Sequence, residues 1–241
     1  MANSNPPPIV IPCINNPTYV TGMLAQLQER KLSNVILIDN NSTYPEMLDL
    51  LHAVRNDVRV IRLRRNYGPR YFSKNWWFYH LGLPRIFCVT DPDIQFNSAM
   101  PSDFIEILTE ATKEFKVGKA GLALDISDTG SMRSDQVAHG GKKYKIWEWE
   151  AQFWQHQISK TSGGDPIYRA PIDTTFAVYN KAIYIRRDGF SLRAVRIAGR
   201  FTARHLPWYR DNGLPMKEEE FYRATAQSHS WYFGAKSRSE E

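Results

Sequence analysis

Cysteine is scarce, and the signatures of several large protein classes are missing. Only two cysteines occur in 241 residues, Cys13 and Cys88, each inside an apolar run, which predicts reduced structural thiols rather than a disulfide framework. No Cys/His spacing of a structural zinc site is present. Neither a Walker loop nor a G-x-G-x-x-G occurs, which argues against P-loop and dinucleotide enzymes. No apolar run approaches the roughly 18 residues that span a bilayer. The first residues, Met1-Ala2-Asn3-Ser4-Asn5-Pro6, lack the basic and apolar regions of a secretory signal, so a cytoplasmic location is expected.

Charge and aromatics are plentiful. The net charge is +6, with a sequence pI near 9.3, and favours an anionic partner: a nucleoside diphosphate, nucleic acid or an acidic membrane surface. The basic residues are scattered rather than striped, and no aromatic RNP-like pattern appears, so nucleic acid is not expected. Peripheral contact with the inner face of a membrane stays open. Seven Trp and twelve Tyr supply rings suited to a core or to the apolar faces of sugars.

The first half alternates strand and helix signals. Pro8–Ile14, Val35–Ile38, Val58–Leu63 and Ile86–Thr90 read as strands. Asn16-Pro17 reads as a helix cap followed by proline at the first helical position, and Val20, Met23, Leu24 and Leu27 form a helical stripe. Thr43 and Glu46 have capping-box spacing ahead of Met47, Leu50, Leu51 and Val54. Residues 71–80 and the segment containing Phe104, Ile107, Leu108, Ala111 and Phe115 read as helices. This pattern predicts parallel βαβ units with helices on both faces. In the second half Ala120–Asp125 and Thr175–Asn180 read as strands, Ile146–Ile158 as an aromatic helix, Ser127–Gly141 as a loop, and the chain from Arg204 onward as polar and aromatic, ending in a charged tail. The loop, with Lys142-Lys143 at its foot, is either a lid over a ligand or an ordinary surface loop.

Ligands of such sheets bind beyond the carboxyl ends of the strands. Asn15-Asn16, Asp39-Asn40-Asn41, Arg65-Asn66 and Asp91-Pro92-Asp93 should therefore border one crevice. Asp91 and Asp93, two residues apart at a strand end, can face one ion together. Hard oxygen ligands suit Mn²⁺ or Mg²⁺, and such an ion could bridge a diphosphate; the same tripeptide also suits a plain turn. Asp39 points either at a nucleotide base or ribose, or into a helix cap. In Asn66-Tyr67-Gly68-Pro69-Arg70, the glycine permits close backbone approach, and Arg70 holds either base or phosphate, or a surface ion pair. Glu148 and Glu150 lie among Trp147, Trp149 and Trp154, where apolar walls could raise a carboxyl pKa.

Taken together, Pro-Cys-Ile-Asn-Asn, Ile-Asp-Asn-Asn-Ser-Thr, Arg-Asn-Tyr-Gly-Pro-Arg and Val-Thr-Asp-Pro-Asp resemble the nucleotide-binding half of GT-A glycosyltransferases, nearest the family-2 group. The resemblance covers residues 8–97 well and the rest loosely. It implies a GT-A-like, Rossmann-like single α/β domain with a mostly parallel central sheet flanked by helices. Residues 8–97 would be the nucleotide-sugar half, 98–210 the acceptor and catalytic half, and 211–241 a C-terminal extension. It implies a nucleoside-diphosphate sugar donor (UDP preferred), a Mn²⁺ or Mg²⁺ cofactor on Asp91 and Asp93, and nucleotide contacts from Asp39, Asn66, Arg70 and Asp91. The activity implied is hexosyl transfer to a saccharide or glycolipid acceptor, as in bacterial surface polysaccharide synthesis. A late histidine, His205, would join the metal, and Trp208 beside it stacks on sugar or packs. Asp173 resembles an acceptor-side acid and is a base candidate with Glu150 and Glu148, although the family's Glu-Asp and Asp-x-x-Arg-Trp signatures are absent. A sugar-nucleotide pyrophosphorylase would need a Gly-rich N-terminal loop that Pro12-Cys13-Ile14-Asn15-Asn16 does not provide.

Overall fold

Four short segments with apolar centres build one side of a ten-stranded sheet. These are β1 (Ile9–Cys13), β2 (Val35–Asp39), β3 (Arg59–Arg62) and β4 (Ile86–Val89), side by side and parallel in the order β3-β2-β1-β4. The computed structural model describes residues 6–68, 81–134, 136–139, 142–173, 175–184 and 194–225. The strand predictions hold to within one or two residues at each end. β1 and β2 are buried almost throughout, as strands covered on both faces must be. Helices α1 (Pro17–Glu29) and α2 (Pro45–Val54) bury Val20, Met23, Leu27, Met47 and Leu51 against them.

The two predicted helix caps form differently. α1 starts at Pro17 as expected, but Asn16 makes no side-chain cap; its Oδ1 accepts a bond from the Ile14 N–H at 3.3 Å. α2 begins after Tyr44 with Pro45 in its first turn, and the Thr43/Glu46 capping box is absent. The reason is competition. Asn15 Oδ1 takes the N–H groups of Thr43 (2.8 Å) and Tyr44 (2.9 Å), and Glu46 pairs with Lys217 at 2.7 Å.

Beyond β4 lie β5 (Ile94–Phe96), α3 (Phe104–Glu114), β6 (Lys119–Leu124), a hairpin of β7 (Gln136–His139) and β8 (Lys142–Lys145), and α4 (Ile146–Ala151). β9 (Gln157–Lys160), β10 (Pro166–Arg169), β11 (Ala177–Asn180), α5 (Lys181–Tyr184), β12 (Ala194–His205) and α6 (Met216–Thr225) complete the described elements. The sheet runs β3-β2-β1-β4-β11-β6-β12-β10-β9. β1 to β4, β6, β9 and β12 point one way, and β5, β10 and β11 the other. The sheet is therefore mixed but mostly parallel in direction. No helix among the described residues is long and apolar enough to cross a membrane.

Two expectations for the second half are corrected. The predicted loop of 127–141 contains strand β7. The predicted helix of 146–158 ends at Ala151, passes through a 3-10 turn at Gln152–Trp154 and becomes β9, because only Ile146 and Glu150 turn inward and β10 offers an edge to pair with. Beyond Arg204, where no element was expected or excluded, His205 ends a twelve-residue strand and α6 follows.

β12 matters most for placement. Its register shifts between Ile197 and Thr202. Gly199 sits there with φ +63°, where a Cβ would lie 2.7 Å from an Asp165 oxygen; only glycine fits both demands. Asp165 clamps the bend through the Arg200 N–H at 2.9 Å and its guanidinium at 2.7 Å. Past the bend β12 reaches β5, pairing His205 with Ile94.

Candidate active site

The carboxyl ends of β1, β2 and β3 carry a closed polar network. Asn40 accepts the Tyr67 N–H at 2.9 Å and donates to Asn66 Oδ1 at 2.9 Å, and that oxygen also accepts the Gly68 N–H at 2.8 Å. Asp39 is fully buried. Its Oδ1 accepts from the Ser42 N–H at 3.0 Å and hydroxyl at 2.5 Å, and its Oδ2 lies 3.1 Å from Arg62 Nε. Asn15 and Asn41 hold left-handed φ values of 50° and 67°, which asparagine tolerates better than most residues. Asp39 and Asn66 thus shape the turns of the crevice with their own hydrogen bonds. Arg70 lies outside the described residues.

Helix α6 closes this end from 200 residues away in sequence. Glu218, 3% exposed, accepts from the Thr18 N–H at 3.1 Å and hydroxyl at 2.5 Å. It supplies the cap that Asn16 does not, with a negative charge at the positive end of α1. Burial pushes its carboxyl above the usual range. Asn15 Nδ2 donates to Thr225 Oγ1 at 3.1 Å, and Phe221 packs on Tyr44 with ring centroids 4.7 Å apart.

The metal-candidate end differs. Asp91-Pro92-Asp93 is a turn between β4 and β5 rather than an extended strand end, so the two carboxylates are set by a turn and not by strand alternation. The β5–β12 pairing delivers His205 to it. The Leu206 N–H donates to the Asp93 carbonyl at 2.9 Å, and His205 Nε2 lies 3.5 Å from Asp93 Oδ2. Asp93 Oδ1 and His205 Nδ1 are buried and have no hydrogen-bond partner among the described residues. Burial, then the charges of Asp93 and Asp173, hold the Asp91 carboxyl well above the usual carboxylate range. Three acids thus share one locality with two unsatisfied donor atoms. Among the described residues no three His, Cys, Asp or Glu side chains form a ready-made metal cage. One or two carboxylates are the donor set that Mg²⁺-type ions use when substrate phosphates and waters complete the shell, so the residues fit such an ion.

The three base candidates separate. Glu148 is exposed, and its Oε2 accepts the Lys145 N–H at 2.8 Å at the start of α4. Glu150 is buried against Arg196 Nη1; desolvation outweighs the attraction of Arg196 and raises its carboxyl to about 7. Asp173 is exposed, close enough to raise Asp91. Trp208 is buried and packs edge-on to His205 at 4.9 Å. Arg196 and Glu218 were not singled out from sequence. Arg196 had a signal, a charge inside the apolar stretch Ala194-Val195-Arg196-Ile197-Ala198. Glu218 had none, since it sits in Lys217-Glu218-Glu219-Glu220 and reads as solvated.

No protein-family model matches the chain, and no curated protein sequence matches it. Solved structures do. A mannosyltransferase from Pyrobaculum calidifontis, in complex with GDP-Man and Mn²⁺, superposes with a TM-score of 0.51 at 11% identity, over 90% of this chain and 59% of that one. HddC from Yersinia pseudotuberculosis gives 0.49 at 11% identity over 90% of this chain and all of the other. S. aureus TarS 1–349 gives 0.42 at 14% identity over 73% of this chain. The chain spans 47% of the TarS structure, about half its length. These likenesses show the fold alone. The chain has a GT-A-like α/β fold.

Proposed function

We propose that the chain is a divalent-metal-dependent glycosyltransferase that moves a sugar from a nucleoside-diphosphate donor, UDP preferred, to a hydroxyl of a saccharide or glycolipid acceptor. The observation that carries this reading is the turn at Asp91-Pro92-Asp93 beside His205, where like charges crowd and two buried polar atoms lack partners among the described residues. Asp91 and Asp93 would hold Mn²⁺ or Mg²⁺, with His205 as the further ligand. A bound ion neutralises the charge that grows on the departing diphosphate.

The remaining steps belong to the chain. Asn66 and the 39–42 turn line the nucleoside end, with Asp39 shaping the turn rather than pointing outward. Asp173 is the base best placed to take the acceptor proton, because Glu150 is engaged by Arg196 and Glu148 by Lys145. The acceptor oxygen bonds to the anomeric carbon as the bond from that carbon to the diphosphate oxygen breaks, and the proton goes to Asp173. GDP-Man and Mn²⁺ in the Pyrobaculum calidifontis structure of the same fold support a nucleotide-sugar donor and a metal.

A thermal-shift panel of UDP, GDP, CDP and UMP with and without Mn²⁺ tests the reading. UDP with Mn²⁺ at a hundredfold excess over its dissociation constant stabilises by about 2.7 kcal/mol, and Asp91→Ala or Asp93→Ala removes the shift. Equal shifts in the variants would remove the metal assignment. Synthesis of a nucleotide sugar from a nucleoside triphosphate and a sugar 1-phosphate would replace glycosyl transfer with nucleotidyl transfer.

A further inference from the structure

Arg196 is a buried cation that the fold alone does not require. It lies on β12 between β6 and β10, 3% exposed, where a methionine could fill the space with no desolvation cost. Its guanidinium is committed in three directions. Nε donates to the Pro171 carbonyl at 2.7 Å, Nη1 donates to Glu150, and the plane lies 4.4 Å over the Phe153 ring. Glu150 is as deeply buried.

The bond to Pro171 has a particular address. Residues 170–173 connect β10 toward β11 with no helix or strand of their own, and Asp173 follows Pro171 by two residues. The Ala170 and Ile172 side chains are buried, and the arginine fixes the Pro171 carbonyl between them, while Lys119 Nζ donates more weakly to the Ile172 carbonyl at 3.4 Å. The charges then close a circuit around the candidate metal edge. Arg196 interacts with Asp173, Asp173 with Asp91, Asp91 with Asp93, Asp93 with His205, His205 with Glu150, and Glu150 with Arg196.

We propose that Arg196 is a positioning residue that acts through the Pro171 carbonyl to hold Asp173 at the Asp91–Asp93 edge, with Glu150 as the counter-ion that keeps the guanidinium turned inward. The proposal rests on reading that edge as a metal site. It goes further by assigning a role to a residue that touches neither ion nor substrate.

Asp173 placed there adds its negative field to the edge, so its position can be read as Mn²⁺ affinity without any acceptor. The experiment is a Mn²⁺ titration of the full chain by electron paramagnetic resonance, for wild type, Asp173→Asn, Arg196→Lys and the double variant. Lysine keeps the charge and loses the planar fork. Removing one nearby charge should weaken Mn²⁺ about fivefold. Arg196→Lys should weaken it similarly while Asp173 is present and add nothing in the Asp173→Asn background, the signature of one shared pathway. A merely structural arginine would lower the melting temperature in both backgrounds and leave the Mn²⁺ affinity unchanged. Should Arg196→Lys fail to fold, Glu150→Gln, which frees the guanidinium, enters the same cycle with the same expectation. Effects that multiply independently, or Mn²⁺ affinity unmoved by Arg196→Lys or by Asp173→Asn, overturn the positioning role alone. A wild-type chain that takes up no Mn²⁺ overturns the metal reading, and the positioning role with it.

Discussion

The two ends of the crevice are built on opposite principles. At the carboxyl ends of β1 to β3, Asp39, Asn40, Asn66 and Asn15 are engaged by neighbouring backbone, hydroxyl and guanidinium groups. At the other end, buried Asp93 Oδ1 and His205 Nδ1 go unpartnered among the described residues while Asp91 is crowded by two acids. A satisfied buried network rigidifies its surroundings, whereas unpaired buried polar atoms cost free energy until something meets them. One end is preorganised by the chain itself. Under the proposed function the other would be completed by the ion and diphosphate it holds.

Substitutions at the two ends should therefore fail in different ways. The largest effect is expected at the satisfied end. Asp39→Ala strands the Ser42 N–H and unpairs Arg62, and should cost about 3 kcal/mol of folding stability in urea titrations. A loss under 1 kcal/mol would mean that the network is not structural. Behind the other end, Glu150 gives a pH signature. Its folded pKa of about 7 lies above the ordinary glutamate value, so the folded state holds its proton longer than the unfolded one. Its contribution is full below about pH 4.3 and lost as pH rises through about 7. Glu150→Gln should flatten stability across that window, and an unchanged slope there would exclude the assignment.

At the metal-candidate edge itself the sign should reverse. Asp91→Asn removes a like charge and should raise the melting temperature of the metal-free chain by a few degrees, corresponding to about 1 kcal/mol, while abolishing Mn²⁺-dependent stabilisation by UDP. A lower melting temperature would contradict the crowding. The smallest effect belongs to the long-range cap. Thr18→Val, which removes a hydroxyl bonded to Glu218, should cost about 1 kcal/mol, measured by thermal unfolding.

The same contrast explains what the sequence disclosed. β1 to β4 and helices α1 and α2 were legible because their apolar periodicity is local and their partners follow in order. The turn that carries Asp91 and Asp93 was legible only as a place, directly after the fourth strand. β9, β10 and β12 were not: β9 and β10 pair locally, but their place in the sheet depends on β12, which pairs with distant β6 and with β10 and bends at Gly199 under the hold of Asp165. His205 was nameable only by resemblance; the strand that carries it to Asp93 gave no periodic signal past its bend. The hidden cap by Glu218 was illegible for the same reason: its partner, Thr18, is 200 residues away. Thr43 and Glu46 misled because a local capping pattern lost to Asn15, whose side chain took the Thr43 and Tyr44 N–H groups first.

The central claim is that a divalent ion sits on Asp91 and Asp93. Anomalous diffraction from crystals grown with UDP and Mn²⁺ tests it directly. A manganese peak is expected within bonding distance of at least one of these carboxylates and of diphosphate oxygens, with His205 facing it. A peak elsewhere, or UDP bound with no ion beside the turn, would contradict it.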